Sequence, residues 1–262
     1  MMAYSQIQRT PYEAIYYNAG LVNLEQEVLY PEVGACRWCT SPVFSQYMYC
    51  KKCEVHRKIL KAEYMPETIA VLTYAGYTDQ SRQDFYQYKE PISYNGPGFQ
   101  RINQMLWDSM MLHAGCFSQQ VSGCRVDALA WVPSGQGREP HPLEALVRPL
   151  AGQRPLVQLR RLAPREEPRD KGIDPTRYSV DTSVQGAHIL LVEDCWVSGT
   201  NSLSVAAALK RTGAKHVSIL CLSRYFKPSG YLAHRKFLEL TNHQGFDPNF
   251  CPVTRTFHPL TL

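Results

Sequence analysis

The residues from 188 to 202 read HILLVEDCWVSGTNS. Two adjacent acids, Glu193 and Asp194, close an apolar run. Ser198, Gly199, Thr200, Asn201 and Ser202 follow, and then an alanine-rich stretch. Each part has its own chemistry. A helix beginning in this loop leaves its first amides without internal partners and carries a partial positive charge there. An anion placed at that end is held by those amides and by neighbouring hydroxyls. Gly199 lets the backbone come close and take a positive φ. Paired carboxylates would repel a phosphate unless they meet sugar hydroxyls or a metal ion. A ribose with vicinal hydroxyls, together with Mg²⁺, satisfies both. The same residue order also suits an ordinary strand-to-helix connection.

A second cluster lies nearer the N-terminus. Cys36 and Cys39 are separated by two residues, ten more intervene, and Cys50 and Cys53 repeat the spacing. Two such pairs grip a tetrahedral Zn²⁺ through four thiolates, with no open position for water, which makes the ion structural. His56 is an alternative ligand. Two disulfides or four idle thiols are the other readings. Nine cysteines in a chain whose start, MMAYSQIQRT, lacks an apolar signal region favour reduced thiols over disulfides.

The elements that must position these groups can be read from periodicity. Residues 51–63 suit a helix that Pro66 ends. Residues 69–74 are β-prone, and 94–98 read as a loop. Phe99, Ile102, Leu106, Met110 and His113 recur at helical spacing, so a helix is predicted over 99–114. Residues 126–132 form a short buried strand, and 142–150 a helix with Pro in its first turn. Residues 160–177 are rich in Arg and Pro, lack periodicity and read as a mobile loop. A strand over 188–192, a helix over 201–212 with Asn201 as N-cap and Gly213 past its end, and a strand over 217–222 complete the pattern. Strands alternating with helices predict an α/β fold on a parallel sheet. Residues 227–262 look irregular and aromatic.

Bulk properties narrow the class. Apolar content of 44% with 19% charged residues is that of a globular chain. A formal charge of +5 suits anionic small ligands and permits weak nucleic-acid binding. No run of apolar residues is long enough for a membrane span, so no membrane partner is expected and a cytoplasmic location is.

The segment 188–214 resembles the phosphoribosyl pyrophosphate signature of type I phosphoribosyltransferases: an apolar strand, two acids, two mostly apolar residues, then a loop of small hydroxyl residues. With the four-cysteine knot ahead of it, the order is similar to the ComF-like, competence-associated members. Tyr74, Gly76 and Lys89 match that family's Tyr-x-Gly and downstream Lys, and Arg177 to Val180 its Arg-x-x-Val element. The resemblance covers about residues 34–225. It implies a Rossmann-like phosphoribosyltransferase core over 67–226, an N-terminal region 1–66 with a zinc ribbon, and an extension 227–262 that could serve as a hood.

The resemblance also implies roles. Glu193 and Asp194 would contact the ribose hydroxyls, directly or through Mg²⁺, as the catalytic acids. Val197, Ser198, Gly199, Thr200, Asn201 and Ser202 would cradle the 5-phosphate. Ser134, Gly135, Gln136, Gly137 and Arg138 occupy the place of the pyrophosphate loop. Two departures stand out: Val197 where members carry Thr or an Asp that assists proton transfer, and Asn201 where Thr is usual. Seven Lys/Arg against four Asp/Glu between 154 and 177 suggest a lid over the diphosphate. Trp196, Tyr225, Phe226 and Tyr231 could stack on a base or simply pack, and Cys195 reads as a small filler. The expected activity is transfer of phosphoribose from phosphoribosyl pyrophosphate to a nitrogenous acceptor, with release of pyrophosphate. The alternative is a binding module without turnover, or a partner in single-stranded DNA handling.

Overall fold

The computed structural model describes residues 33–75, 80–89, 96–134, 141–162, 172–225, 232–241 and 246–258. Its centre is a four-stranded parallel sheet. The strands are β3 (Thr68–Ala75), β4 (Ala128–Trp131), β7 (His188–Trp196) and β8 (His216–Tyr225), arranged in the order β3-β8-β7-β4. Ile69 and Leu191 both pair with Ile219, and Leu129 pairs with Leu190. Helix α5 (Thr200–Arg211) carries the chain from β7 back to β8. The middle of each strand is buried and largely apolar on both sides, as a sheet covered on both faces requires.

Alternation along each strand sorts those residues into two layers. Ile69, Val71, Ile189, Leu191, Val217 and Ile219 face α5 and the cysteine cluster. Ala70, Leu72, Leu190, Val192, Leu220 and Leu222 face the opposite layer, built from α3 (Pro97–Gln119) and α4 (Pro142–Ala151). Helix α3 runs longer than the 99–114 predicted. Gly96 caps it and Pro97 is its first residue, so the 94–98 loop reading fails at its end. Its buried stripe includes Ile102, Leu106, Met110, His113 and Phe117. Helix α5 ends in a Schellman motif: Ala214 N–H donates to the Leu209 carbonyl and Gly213 N–H to Lys210, with Gly213 at φ 105°. Among the described residues no helix is long and apolar enough to cross a membrane.

The N-terminal cysteines sit on a small antiparallel pair, β1 (Val33–Ala35) and β2 (Pro42–Phe44), followed by α1 (Lys51–Ile59). Cys50 is the N-cap residue of α1 and Cys53 lies in its first turn.

Several expectations change. Between β3 and the 94–98 segment, where no helix was expected, lies α2 (Gln80–Gln87). Helix α5 begins at Thr200 with Gly199 as the N-cap residue, so Asn201 is not the cap. Both ends of the Arg-rich segment are ordered. There β5 (Leu159–Arg161) pairs with β6 (Tyr178–Val180), while 163–171 lie outside the described residues. The tail is not irregular either. It holds α6 (Leu232–Thr241) and a hairpin of β9 (Phe250–Cys251) and β10 (Thr256–Phe257). Phe237 of α6 is buried edge-on against Tyr74, with ring centroids 4.6 Å apart. Aromatic pairing across elements hides this packing from any local reading.

Candidate functional site

The loop between β7 and α5 lines a cleft of about 870 Å³. Gly199 stands at its turn with φ 80°. A Cβ at residue 199 would lie 2.1 Å from the Trp196 ring, so both the backbone angle and the space demand glycine. Ser198 Oγ is 3.0 Å from Thr200 Oγ1, and the first helical hydrogen bond in the Gly199 turn runs from Leu203 N–H to the Gly199 carbonyl. Thr200 N–H reaches Ser198 Oγ at 3.4 Å, and the next amides are the ones a helix start leaves without internal partners. Val197, Ser198, Gly199, Thr200, Asn201 and Ser202 all line the cleft. The Ser202 hydroxyl donates to Glu193 at 2.8 Å, and Asn201 Oδ1 is 3.3 Å from the Tyr178 hydroxyl.

The two acids are held differently. Asp194 accepts from the Tyr88 hydroxyl at 2.7 Å and pairs with Lys89 Nζ at 2.6 Å. Burial disfavours its charge, but Lys89 and the hydrogen bonds outweigh this and bring its pKa down to about 2. Burial, and then the Asp194 charge, push the Glu193 carboxyl well above the usual glutamate range. The pair thus carries one settled charge, already balanced by Lys89, and one carboxyl that favours its proton. Lys89 loses by burial but gains more from Asp194, and its pKa rises.

Other expected residues are placed as follows. Ser134 lines the cleft at the end of β4, while Gly135, Gln136, Gly137 and Arg138 lie outside the described residues. His141 caps α4, its Nδ1 accepting from Leu143 N–H at 3.1 Å, and also lines the cleft. Trp196 is buried beneath Gly199 and cannot stack on a ligand, whereas Tyr225 lines the cleft. Phe226, Tyr231 and Gly76 lie outside the described residues. Burial, then the Asp194 charge, push the Cys195 thiol up to about 12, which removes it as a nucleophile. Tyr74 belongs to the cysteine knot: its hydroxyl donates to the Thr40 carbonyl at 2.8 Å. Among the described residues, none of the 227–262 extension lines the cleft.

Cys36, Cys39, Cys50 and Cys53 bring their sulfur atoms within 4.8 Å of one another, a set that could hold a metal such as zinc. His56 is buried nearby but outside this set.

Sequence reasoning missed three supports. Tyr88, beside Lys89, gave no signal of its own. Arg224 is buried and donates to the carbonyls of Trp196 at 2.6 Å, Val197 at 2.8 Å and Tyr225 at 2.6 Å, so it grips the backbone that leads into the loop. Asp84 receives Arg101 through two hydrogen bonds, at 2.9 and 2.5 Å, fixing α2 against α3 where Gly98 allows close approach. A cation within an apolar strand was the available clue for Arg224.

No family model and no curated protein matches the chain. Among solved structures it is similar to a purine phosphoribosyltransferase from Pyrococcus horikoshii Ot3. Identity is 14% and the TM-score 0.28, over 48% of this chain and 91% of the other. It is also similar to a hypoxanthine phosphoribosyltransferase from Staphylococcus aureus in two crystal forms. The tetragonal form gives 12% identity and a TM-score of 0.28, over 45% of this chain and 64% of the other. The orthorhombic form gives 11% and 0.30, over 60% and 92%.

Proposed function

We propose that this chain binds a ribose 5-phosphate group, delivered as phosphoribosyl pyrophosphate, and transfers it to a nitrogenous acceptor. One observation carries the reading: an open helix start at Gly199 shares a cleft with two adjacent carboxylates. The 5-phosphate sits on the amides of 199–202 and the hydroxyls of Ser198 and Thr200. The ribose hydroxyls meet Glu193 and Asp194. The diphosphate lies toward Ser134 and the segment 135–138.

The oxygen donors fit Mg²⁺, which binds through one or two carboxylates and substrate phosphates. Asp194 would hold it in place of Lys89, and Glu193 would give up its proton to join it. When bound, the ion supplies positive charge against the departing diphosphate. The protein's own part is positioning. The Gly199 loop fixes the sugar, the acids orient its hydroxyls, and breaking the bond from sugar C1 to diphosphate leaves positive charge on a ring facing them. Lys89 keeps Asp194 charged before substrate arrives. The four sulfurs of the Cys36 cluster fit Zn²⁺, whose chemistry there is structural.

Binding without turnover is the second reading, and Val197 favours it. Its side chain is 59% exposed at the cleft and offers no proton acceptor where one would assist an incoming amine. The two readings separate on mixing protein, Mg²⁺, phosphoribosyl pyrophosphate and a panel of bases. Release of pyrophosphate that needs both a base and Asp194 supports transfer. Donor binding with no release for any base supports a binding module, and single-stranded DNA affinity that falls with salt would give that module its partner.

A further inference from the structure

The hairpin at the end of the chain brings two residues against the long helix α3. His113 and Cys116, three apart on α3, share one face. Cys251 ends β9, and His258 follows β10. The donor atoms of these four side chains all lie within 4.8 Å of one another, and Cys116 Sγ is 3.9 Å from His258 Nδ1. Donors around a tetrahedral zinc sit roughly 3.3–3.8 Å apart, given Zn–S near 2.3 Å and Zn–N near 2.0 Å. Only a small contraction separates the cluster from that geometry.

The surrounding hydrogen bonds aim the donors inward. His113 Nε2 lies 2.8 Å from the Pro248 carbonyl, which only accepts, so Nε2 carries the proton and Nδ1 keeps its lone pair. That Nδ1 is buried without an oxygen or nitrogen partner, and the ring lies against the Cys251 thiol. His258 is oriented the same way, with Nε2 3.1 Å from Thr254 Oγ1 and Nδ1 toward Cys116. Thr254 N–H points at Cys251 Sγ from 3.4 Å. Imidazoles tied at one nitrogen with the other left for a cation are the usual outer support of a metal ligand. His113, Cys116 and Cys251 are buried and His258 is half-buried, so four protein ligands would close the site to substrate.

The hairpin also needs such a tie. Its strands are two residues each, too short to hold without help. We infer that His113, Cys116, Cys251 and His258 form a second, structural zinc site that fastens the C-terminal hairpin to α3. Thiolate and imidazole donors in this ratio select zinc among the common divalent ions. This site is independent of the phosphoribosyl reading and of the Cys36 cluster.

Metal analysis of the full chain, purified under reducing conditions and dialysed against zinc chloride and then buffer, tests it. The wild type should retain two zinc equivalents. The Cys251→Ser/His258→Ala variant should retain one, and so should Cys36→Ser/Cys39→Ser. Should the first variant fail to fold, the wild type still decides. A thiol reagent should then release zinc in two steps, with Cys116 and Cys251 blocked in one of them. Retention of a single equivalent that vanishes in the Cys36→Ser/Cys39→Ser protein overturns the proposal. So does a disulfide between Cys116 and Cys251 in protein alkylated before reduction.

Discussion

Three residues decide what the cleft can bind. Gly199 is held by its backbone angle and by the Trp196 ring beneath it. Gly199→Ala adds about 1–2 kcal/mol of left-handed strain before any clash with the indole, so it should lower Tm and weaken donor binding together. Asp194 and Glu193 differ because burial and the Asp194 charge raise Glu193, while Lys89 pairs directly with Asp194. A carboxyl whose folded-state pKa lies above its unfolded one holds a proton that the unfolded chain has released. Its stabilising effect is therefore full below the ordinary glutamate value of 4.5 and is lost as pH rises through the folded value. Glu193→Gln removes that titration. Its Tm should fall less than the wild type's between about pH 5 and 8, where an unfolded glutamate is already ionised. Parallel profiles would mean that Glu193 is ionised throughout.

Among the elements, α2 matters most, because it delivers Tyr88 and Lys89 to Asp194 at its C-terminal end. The Arg101–Asp84 pair anchors it, and the Asp84 side chain is fully buried. Asp84→Ala leaves the guanidinium without its carboxylate and should cost about 3 kcal/mol in urea unfolding. Donor affinity should fall with it. This helix was not legible in the sequence, because QSRQDFYQ has no strong apolar stripe, and Asp79 before it reads equally well as a turn residue. The βαβ unit from 188 to 222 was legible, since its strands are continuous apolar runs and Gly213 marks the helix end. So were the four clustered cysteines, because their chemistry is written in their spacing. Arg224, Tyr88 and the His113 cluster were not. Each depends on residues more than 25 positions away, and no local pattern carries such pairings.

At the scale of the molecule, the cysteine knot and the cleft share supports. Arg224, gripping the backbone ahead of the Gly199 loop, loses by burial but is raised by the charges of Cys39, Cys50 and Cys53. Tyr74 ties the knot to β3 and packs on Phe237, and Arg255 of the terminal hairpin donates to the Arg37 carbonyl at 2.9 Å. Removing the zinc proposed for the Cys36 cluster, by chelator or by Cys36→Ser/Cys39→Ser, should therefore lower Tm and also weaken donor binding, although no cysteine of the knot lines the cleft. Unchanged affinity in a folded zinc-free protein would separate the two.

The most direct measurement is calorimetric titration of the full chain with phosphoribosyl pyrophosphate and Mg²⁺. The wild type should bind one equivalent. Gly199→Ala and Glu193→Ala/Asp194→Ala should each bind at least about tenfold more weakly, a loss of about 1.4 kcal/mol. Heat absent from the wild type, or equal affinity in folded variants, would mean that the turn after the paired acids is not where a sugar phosphate docks.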